Sequence, residues 1–317
     1  MVLETALQRG YSVHVFDLPT ARNRGKAAYY SDRLSGLMWG DLRNFDDVRN
    51  AITGMDVVIH LGAVIAPISE RNPELSYAVN VGGTRNIVRS IEEYSPETAL
   101  VYASSMSIMG ADADRKPPLR ADDPVSSSSH YTSHKIACEQ LIRESHVRWV
   151  ISRLGAVINT DLEIGGGSPK DLMTEIFSMK LDNRIEVVWN IDAATAFVNV
   201  AGMLCSGESE VEKKIFFIGG GGGNGWQMTA RDLYASGFDA IGIGMVHERC
   251  FSNQPYYADW LDTGESQRLL RYQNHRFDEF ITALKRKMRY KRFFIWVVSP
   301  LIRSWMERFS PSGRRTV

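Results

Sequence analysis

The sequence predicts an α/β fold in which helices cover both faces of a parallel sheet. Short apolar runs alternate with segments of helical periodicity through the first half of the chain, and this alternation is typical of right-handed βαβ crossovers. Two of the runs, at 57–59 and 149–151, are continuously apolar, as strands covered on both faces should be. A chain of 317 residues is long enough to bury the core of one large domain or two.

The individual elements follow from the spacing of the apolar residues. Strands are predicted at 12–17, about 37–40, 56–60, 99–104 and 149–154. Helices are predicted at 2–9, 46–53, 76–94 and 131–145. After Arg153 the pattern loosens. We predict a loop at 165–169, a helix near 170–180, a strand at 185–189, a helix opening at Asp192, and a smaller, mostly helical lobe over 223–284.

Charge divides the chain unevenly, although its formal net charge is zero. Residues 285–317 contain ten Lys or Arg and one acidic residue, so the remainder, with 27 basic and 36 acidic residues, has a net charge of −9. The three cysteines (Cys138, Cys205 and Cys250) have no metal-ligand or disulfide spacing, which favours a reducing cytoplasmic compartment. No metal site is predicted.

Tyr131 and Lys135 stand four residues apart on a predicted helix, and Ser105 lies at the end of a predicted strand. The spacing puts the phenol and the ammonium on one helix face. A nearby ammonium favours the phenolate, so we expect it to lower the tyrosine pKa. A hydroxyl from the strand can hydrogen-bond the same substrate oxygen. This trio suits proton transfer at a carbinol or carbonyl while a nicotinamide handles the hydride. Ser104 is the alternative serine.

The order of the motifs resembles the extended short-chain dehydrogenase/reductase family, which includes nucleotide-sugar epimerases and 3β-hydroxysteroid-dehydrogenase-like enzymes. Asp56-Val-Val-Ile-His-Leu-Gly-Ala63 resembles the fourth strand of the family, and Asn80-Val-Gly-Gly-Thr-Arg-Asn86 matches its Asn-Val-x-Gly-Thr-x-Asn helix. Ser105, the Tyr131/Lys135 pair and Arg153 then follow in family order. The resemblance covers about residues 1–200, with a weaker echo at 256–263.

The resemblance implies a Rossmann-like doubly wound parallel sheet with a smaller helical C-terminal substrate lobe. It assigns 1–157 and about 187–222 to an NAD-binding domain, 158–186 and 223–284 to the substrate lobe, and 285–317 to a basic tail. The implied activity is that of an NAD-dependent oxidoreductase or epimerase acting on a sugar nucleotide or a hydroxylated sterol- or isoprenoid-like substrate. Ser105-Met106-Ser107 lacks the carboxylates of the 4,6-dehydratases, which argues against dehydration. The alternative is a non-catalytic binding or scaffolding relative.

The resemblance also implies the cofactor contacts. Asp17, at the tip of the second family strand, would accept the ribose hydroxyls and favour NAD over NADP, although Arg22 and Arg24 keep NADP open. Asp41 and Leu42 would contact the adenine. The residues expected to line the dinucleotide are Leu61, Gly62 and Ala63. Lys135, beside Tyr131, would also hold the nicotinamide ribose. Asn80 would support the active-site water network or make a structural contact, and Arg153 would act in the site or in a structural ion pair.

The front of the chain departs from the family pattern. In the family, a helix follows the glycine-rich phosphate turn. The chain begins inside that helix, whose apolar face consists of Val2, Leu3, Ala6 and Leu7. We therefore expect in-frame codons upstream to encode the first strand and that turn, and NAD binding by this chain to be weak. Gly220, Gly222 and Gly225 fit G-x-G-x-x-G, but a loop over the substrate cleft is the preferred interpretation.

The basic tail has two interpretations. Ser299 and Pro300 are expected to open a new helix, with Leu301, Ile302, Trp305, Met306 and Phe309 on one face. Such a basic, Trp-containing helix either lies on an anionic membrane, dispensable for the fold of the body, or docks on its own domain or a partner subunit. A membrane-associated location and a homodimer are left open. Nucleic acid is not an expected partner, because the Trp residues do not interleave with basic ones.

Overall fold

The computed structural model describes residues 1–111, 115–161, 168–254 and 256–310. The predicted loop at 165–167 and the last seven residues lie outside this part. The helices, in chain order α1–α12, are Val2–Gln8, Ala21–Ala28, Phe45–Ile52, Ile68–Arg71, Pro73–Tyr77, Gly83–Tyr94, His130–Glu144, Pro169–Ser178, Asn190–Cys205, Ala230–Ile241, Gly264–Leu270 and Phe277–Glu307. The strands, β1–β9, are His14–Asp17, Gly36–Trp39, Val57–His60, Ala99–Ser105, Arg148–Leu154, Ala156–Ile158, Arg184–Trp189, Lys214–Ile218 and Gln227–Thr229.

A four-stranded parallel sheet in the order β3-β4-β5-β8 forms the centre of the fold. Val101 and Val150 point to one face and pack against Phe197 of α9. Leu100 and Ile151 point to the other face and contact α3, α6 and α7. Helices therefore cover both faces, as predicted from the continuous apolar runs.

The remaining strands form two smaller sheets. β1 and β2 pair in parallel as a two-stranded sheet, and among the described residues no strand pairing joins it to β3. β6 and β7 are parallel, and β9 is antiparallel to β7. The expected parallel strands are thus present, but they form two separate parallel sheets, one of β1 and β2 and one that begins with β3 and β4.

The predicted helix over 76–94 is observed in three parts. α5 continues into a single π-helical turn, Ala78–Gly82, and then into α6. A π-turn widens the helix and leaves carbonyls free for other donors. The Asn80 carbonyl uses this freedom, accepting from the Cys138 thiol at 3.3 Å and from the Thr84 hydroxyl at 2.6 Å. Cys138 is accordingly a packing residue at the junction of the two helices.

The C-terminal helix differs from the sequence expectation. α12 runs without interruption from Phe277 to Glu307, so the expectation that Ser299 and Pro300 open a new helix is wrong. Ser299 is buried within the helix and accepts from Arg303 at 3.4 Å. The N-terminal half of α12 packs Phe280 and Leu284 against α10 and β7. No helix in the described ranges is both long and apolar enough to cross a membrane.

Candidate active site

Ser105 ends β4 at the carboxyl edge of the central sheet. Its hydroxyl accepts the backbone N–H of Ser107 at 3.2 Å and lies 2.9 Å from the Ser107 hydroxyl, which fixes the tight turn that follows the strand. The same hydroxyl lies close enough to the Tyr131 phenol to lower its pKa. The strand end therefore brings Ser105 and Tyr131 together although they are distant in sequence.

The first turn of α7 holds Tyr131 in place. Ser129 and Thr132 form a capping box, as expected for a helix N-terminus. Glu70 of α4 accepts the backbone N–H groups of His130 and Tyr131 at 3.0 and 3.1 Å. Partial burial pushes the pKa of Glu70 upward, but these N–H groups and the Ser69 hydroxyl outweigh it and hold that pKa below its usual range. A carboxylate at this position also complements the helix dipole.

Lys135 lies one turn further along α7 and is buried. Its ammonium donates to the Ala103 carbonyl at 2.5 Å. It lies 4.6 Å from the centre of the Tyr102 ring and 5.8 Å from that of the Tyr131 ring. Burial lowers the pKa of Lys135 to about 8, partly opposed by Cys138 and Glu139. The group is thus a desolvated cation beside the Tyr131 ring.

The expected lowering of the tyrosine pKa is not observed. Burial raises the pKa of Tyr131 to about 12, the nearby Ser105 hydroxyl lowers it only in part, and Tyr257 and Cys138 raise it further. Desolvation of the phenolate is therefore the dominant cause of the shift. The sequence showed the spacing of the pair but not the burial of the phenol.

Ser104, the alternative serine, has a different role in the structure. It is buried and donates to Glu139 at 2.6 Å. Glu139 in turn accepts from Arg153 through two hydrogen bonds of 2.9 and 2.7 Å. Because all three side chains are buried and satisfied together, Arg153 makes the structural ion pair that the sequence left open, and Ser104 is not directed at the site.

Asn80 makes a structural contact. Its amide oxygen accepts the Val64 N–H at 2.7 Å and its amide nitrogen donates to the Val64 carbonyl at 2.9 Å. Both main-chain groups of Val64 are satisfied by one side chain. The loop that carries Leu61, Gly62 and Ala63 is therefore tied to the π-turn.

The proposed cofactor residues lie at the carboxyl ends of β1, β2 and β3. Asp17 is exposed, with one carboxylate oxygen accepting the Leu18 N–H at 2.8 Å. Asp41 pairs with Arg43, and hydrogen bonds from Arg43 lower the pKa of Asp41 against a smaller effect of burial. The side chain of Leu61 is 47% exposed. An exposed carboxylate and an exposed apolar side chain, each just at or after the carboxyl end of a parallel strand, are suited to a ribose and a base.

Leu42 is packed between two glycines. A Cβ on Gly83 would lie 2.9 Å from the Leu42 side chain, and a Cβ on Gly62 would lie 3.0 Å from it. Both distances are shorter than ordinary carbon contacts. The glycines therefore serve the close packing of Leu42 as well as any approach of a dinucleotide.

The glycine run at 219–225 is filled by the protein itself. A Cβ on Gly220 would lie 2.1 Å from Trp226, and one on Gly219 would lie 2.1 Å from Glu186. The N–H of Gly219 donates to the Tyr272 hydroxyl, that of Gly220 to a main-chain carbonyl, and that of Gly221 to Glu186. With these three amides engaged, they are not free to bind a phosphate.

Two tyrosines that the sequence did not single out lie on the substrate side. The Tyr256 hydroxyl donates to the Tyr257 hydroxyl at 2.7 Å and lies 3.5 Å from a carboxylate oxygen of Glu175. The two rings stack with centroids 4.0 Å apart. Tyr257 is close enough to Tyr131 to contribute to its raised pKa. The family echo at 256–263 was the available signal, but it gave no role to either residue.

The profile of the NAD dependent epimerase/dehydratase family matches residues 1–198. The chain belongs to this family. Among curated proteins it is 25% identical over 150 residues to the 3-beta-hydroxysteroid dehydrogenase of Mycolicibacterium neoaurum, covering 44% of this chain and 38% of that protein. It is 29% identical over 147 residues to the bovine (Bos taurus) sterol-4-alpha-carboxylate 3-dehydrogenase, decarboxylating, covering 46% and 38%. It is 30% identical over 110 residues to the CDP-paratose 2-epimerase of Salmonella typhi, covering 33% and 32%. The matched segments thus span less than two fifths of these relatives.

Solved structures show the same fold over nearly the whole chain. The UDP-glucose-4-epimerase of Stenotrophomonas maltophila, solved with bound NAD, has a TM-score of 0.73 at 15% identity and covers 92% of this chain and 95% of its own. The dTDP-glucose 4,6-dehydratase of Streptomyces venezuelae, solved as a double mutant with NAD, has a TM-score of 0.73 at 18% identity and covers 92% and 94%. At these identities the likeness establishes the fold alone.

The family membership makes NAD the cofactor to test against the residues present. The adenosine half fits, because Asp17 and Leu61 are both exposed at the carboxyl ends of parallel strands. The Ser105–Tyr131 pair supplies the polar groups expected beside a nicotinamide. The glycine amides at 219–221 cannot bind the pyrophosphate, because they bond to the protein. The residues present therefore suit the adenosine and the nicotinamide ends of NAD.

Proposed function

We propose that this protein is an NAD-dependent oxidoreductase or epimerase that acts on a secondary alcohol or the corresponding ketone. The observation that carries the proposal is the position of the Tyr131 phenol near Ser105 at the end of β4, with the buried ammonium of Lys135 5.8 Å from the centre of the tyrosine ring. These groups can hold a carbinol or carbonyl oxygen and exchange a proton with it.

Tyr131 is the proposed general acid/base. Ser105 would hydrogen-bond the substrate oxygen and orient it toward the phenol. Lys135 would supply positive charge that stabilises the phenolate when a proton has moved to the chain. The turn after β4 carries Met106 and Ser107, and neither side chain can serve as the carboxylate that elimination of water needs. The proposal therefore covers oxidation, reduction or epimerisation and leaves dehydration out.

We propose that NAD is contacted by residues at the ends of β1, β2 and β3: Asp17, Asp41, Leu42, Leu61, Gly62 and Ala63. Bound NAD would accept or return a hydride, and the chain would contribute positioning and proton transfer. The exposed carboxylate of Asp17 favours ribose hydroxyls and repels a 2′-phosphate. Arg24 is directed elsewhere, since it donates to the Pro19 carbonyl at 3.3 Å and lies 5.0 Å from the centre of the Trp39 ring. These contacts favour NAD over NADP.

Two substrate classes remain in the proposal, a hydroxylated sterol- or isoprenoid-like molecule and a sugar nucleotide. The names of the relatives support both classes. Tyr256 and Tyr257 provide a stacked aromatic pair with hydroxyls near Tyr131. Such a pair can pack against an apolar ring system or stack against a sugar or base.

Substrate-dependent reduction of NAD tests the proposal. Purified protein is incubated with NAD and a panel of 3-hydroxysteroids, isoprenols and nucleotide sugars, with NADH followed by absorbance and epimers by chromatography. Tyr131→Phe should lower turnover about 10²–10⁴-fold while NAD affinity, measured by calorimetry, stays unchanged. Tyr94→Phe, which removes a phenol from an exposed tyrosine, is the matched control. Near-normal turnover by Tyr131→Phe would overturn the assigned role, and failure to bind NAD would favour the scaffolding alternative.

A further inference from the structure

The C-terminal part of α12 is anchored to the body of the protein along one face. Ser299 and Met306 are buried. Arg303 donates to the Ile243 carbonyl at 2.6 Å, and just after the helix the Ser310 hydroxyl donates to the Cys250 carbonyl at 2.9 Å. The helix is therefore held in a fixed orientation, which makes its other face a defined surface.

The opposite face of α12 is apolar and exposed. Tyr290, Phe294, Val297, Leu301 and Trp305 are spaced by four, three, four and four residues, so they share one side of the helix. Their exposed fractions are 73, 71, 56, 73 and 42%. We call these five residues the apolar stripe; Phe293, Trp296 and Val298 flank it and are also exposed. Large contiguous apolar patches are uncommon on monomeric proteins unless they bind something.

Basic residues surround the apolar stripe. Arg286, Arg289 and Lys291 are exposed at its N-terminal end, and Arg308 is exposed at its C-terminal end. The Arg289 guanidinium lies 4.2 Å from the centre of the Tyr290 ring, so cation and aromatic face the same surface. The charge at both ends of the stripe is positive, whereas the rest of the protein has a net negative charge.

An open groove adjoins the apolar stripe. It lies between α12 and the loop after α10, and has a volume of about 890 Å³. Its lining includes Phe293 and Trp296 together with Arg289, Arg292, Arg303 and Asp239. Arg292 pairs with Asp239, and Arg303 donates to the Ile243 carbonyl. The Arg289 guanidinium beside the Tyr290 ring is therefore best placed for a phosphate at the level of lipid headgroups.

We propose that the apolar stripe of α12 binds the surface of an anionic lipid bilayer. Aromatic and aliphatic side chains would enter the headgroup–acyl boundary, and the basic residues at both ends would contact lipid phosphates. The helix would lie along the membrane plane, because its other face is docked on the protein. This contact is separate from the proposed catalytic role and would place the protein at a membrane surface.

The charges favour a membrane over a second copy of the chain. A two-fold interface through the stripe would bring the stripes together with their basic ends, and like charges on a surface that becomes buried are unfavourable. Anionic headgroups instead provide the opposite charge over the whole length of the helix. The bilayer is therefore the occupant to which the proposal commits.

Vesicle co-sedimentation of the full chain tests the proposal. At low salt the protein should sediment with phosphatidylglycerol-containing vesicles and much less with pure phosphatidylcholine. Phe294→Ser combined with Leu301→Ser should weaken binding by on the order of tenfold or more. Arg286→Glu combined with Lys291→Glu should remove the preference for anionic lipid and its dependence on salt.

Tyr29→Ser is the matched control, because Tyr29 is 77% exposed but lies far from α12 in the sequence; it should sediment like the unmodified protein. Circular dichroism before sedimentation shows that each variant is folded. The proposal is overturned if the unmodified protein stays in the supernatant with anionic vesicles at low salt, or if the Phe294/Leu301 variant binds as well. It is also overturned if the stripe drives a lipid-independent dimer, seen by sedimentation velocity, that the same variant abolishes.

Discussion

The four-stranded sheet and the two-stranded sheet of this protein differ sharply in packing. β4 and β5 are buried along almost their whole length, with a core on each face. β1 and β2 contain no fully buried residue, and neither does α2, which connects them. The candidate catalytic residues stand on the first sheet or pack against it, whereas Asp17 and Asp41 stand at the end of the second. The proton-transfer groups are thus held rigidly, and the proposed adenosine contacts are held weakly.

This difference in packing has a direct energetic consequence. Against the central sheet, Ser104, Glu139 and Arg153 form a buried and mutually satisfied network, so removing Arg153 leaves a buried charge. Around the two-stranded sheet, ion pairs such as Arg33–Glu4 are open to water, and their loss costs little. Matched substitutions in the two regions should therefore behave very differently.

The largest effect is expected at the Arg153–Glu139 pair, whose side chains are 3 and 5% exposed. Arg153→Met should lower the free energy of unfolding by about 3–5 kcal/mol, because it leaves the Glu139 carboxylate buried without its cation. Arg33→Met, the control in the two-stranded region, should leave the urea midpoint almost unchanged. Equal losses of stability in the two variants would break the comparison.

A smaller effect is expected from the buried ammonium of Lys135. Its pKa is lowered from 10.5 to about 8 by burial, so between these values the unfolded chain binds more protons than the folded one. Stability contributed by this group should therefore rise with pH in that window, by at most about 3 kcal/mol. Urea denaturation at pH 7 and 9.5 should show this rise in the unmodified protein and in Lys291→Met but not in Lys135→Met. A rise that persists in Lys135→Met would assign it to another group.

The smallest effect is expected at Tyr257, which lies close enough to Tyr131 to raise its pKa. Tyr257→Phe removes the acceptor of the Tyr256 hydroxyl and a polar group near Tyr131. Since one neutral hydrogen bond contributes about 1 kcal/mol, kcat/KM for an identified substrate should fall about fivefold to tenfold, with NAD affinity unchanged. An unaltered kcat/KM would place Tyr257 outside the substrate contacts.

Packing also explains what the sequence could predict. β4, β5 and α7 were predicted to within about one residue at each end, because continuous apolar runs and a strong cap mark buried elements. Family membership was predicted correctly as well. Ser105, Tyr131 and Lys135 lie close together at the end of β4, and their roles, like those of the cofactor residues, stay predictions.

Long-range contacts and burial limited the sequence interpretation. Glu70 caps α7 from about 60 residues away, and no local pattern marks such a contact. The raised pKa of Tyr131 depends on burial by distant segments. At 299–300 a good local start signal was overridden, because the body of the protein buries Ser299 inside a longer helix.

Hydrogen exchange with and without NAD tests the central claim, that a rigid catalytic sheet adjoins a weakly packed sheet completed by the cofactor. Without NAD, amides of 14–17 and 36–39 should exchange much faster than those of 99–105 and 148–154. Saturating NAD should slow exchange in the first two segments and leave the last two unchanged. Equal protection of the two sheets without NAD, or no change in 14–17 and 36–39 when NAD is bound, would contradict the account.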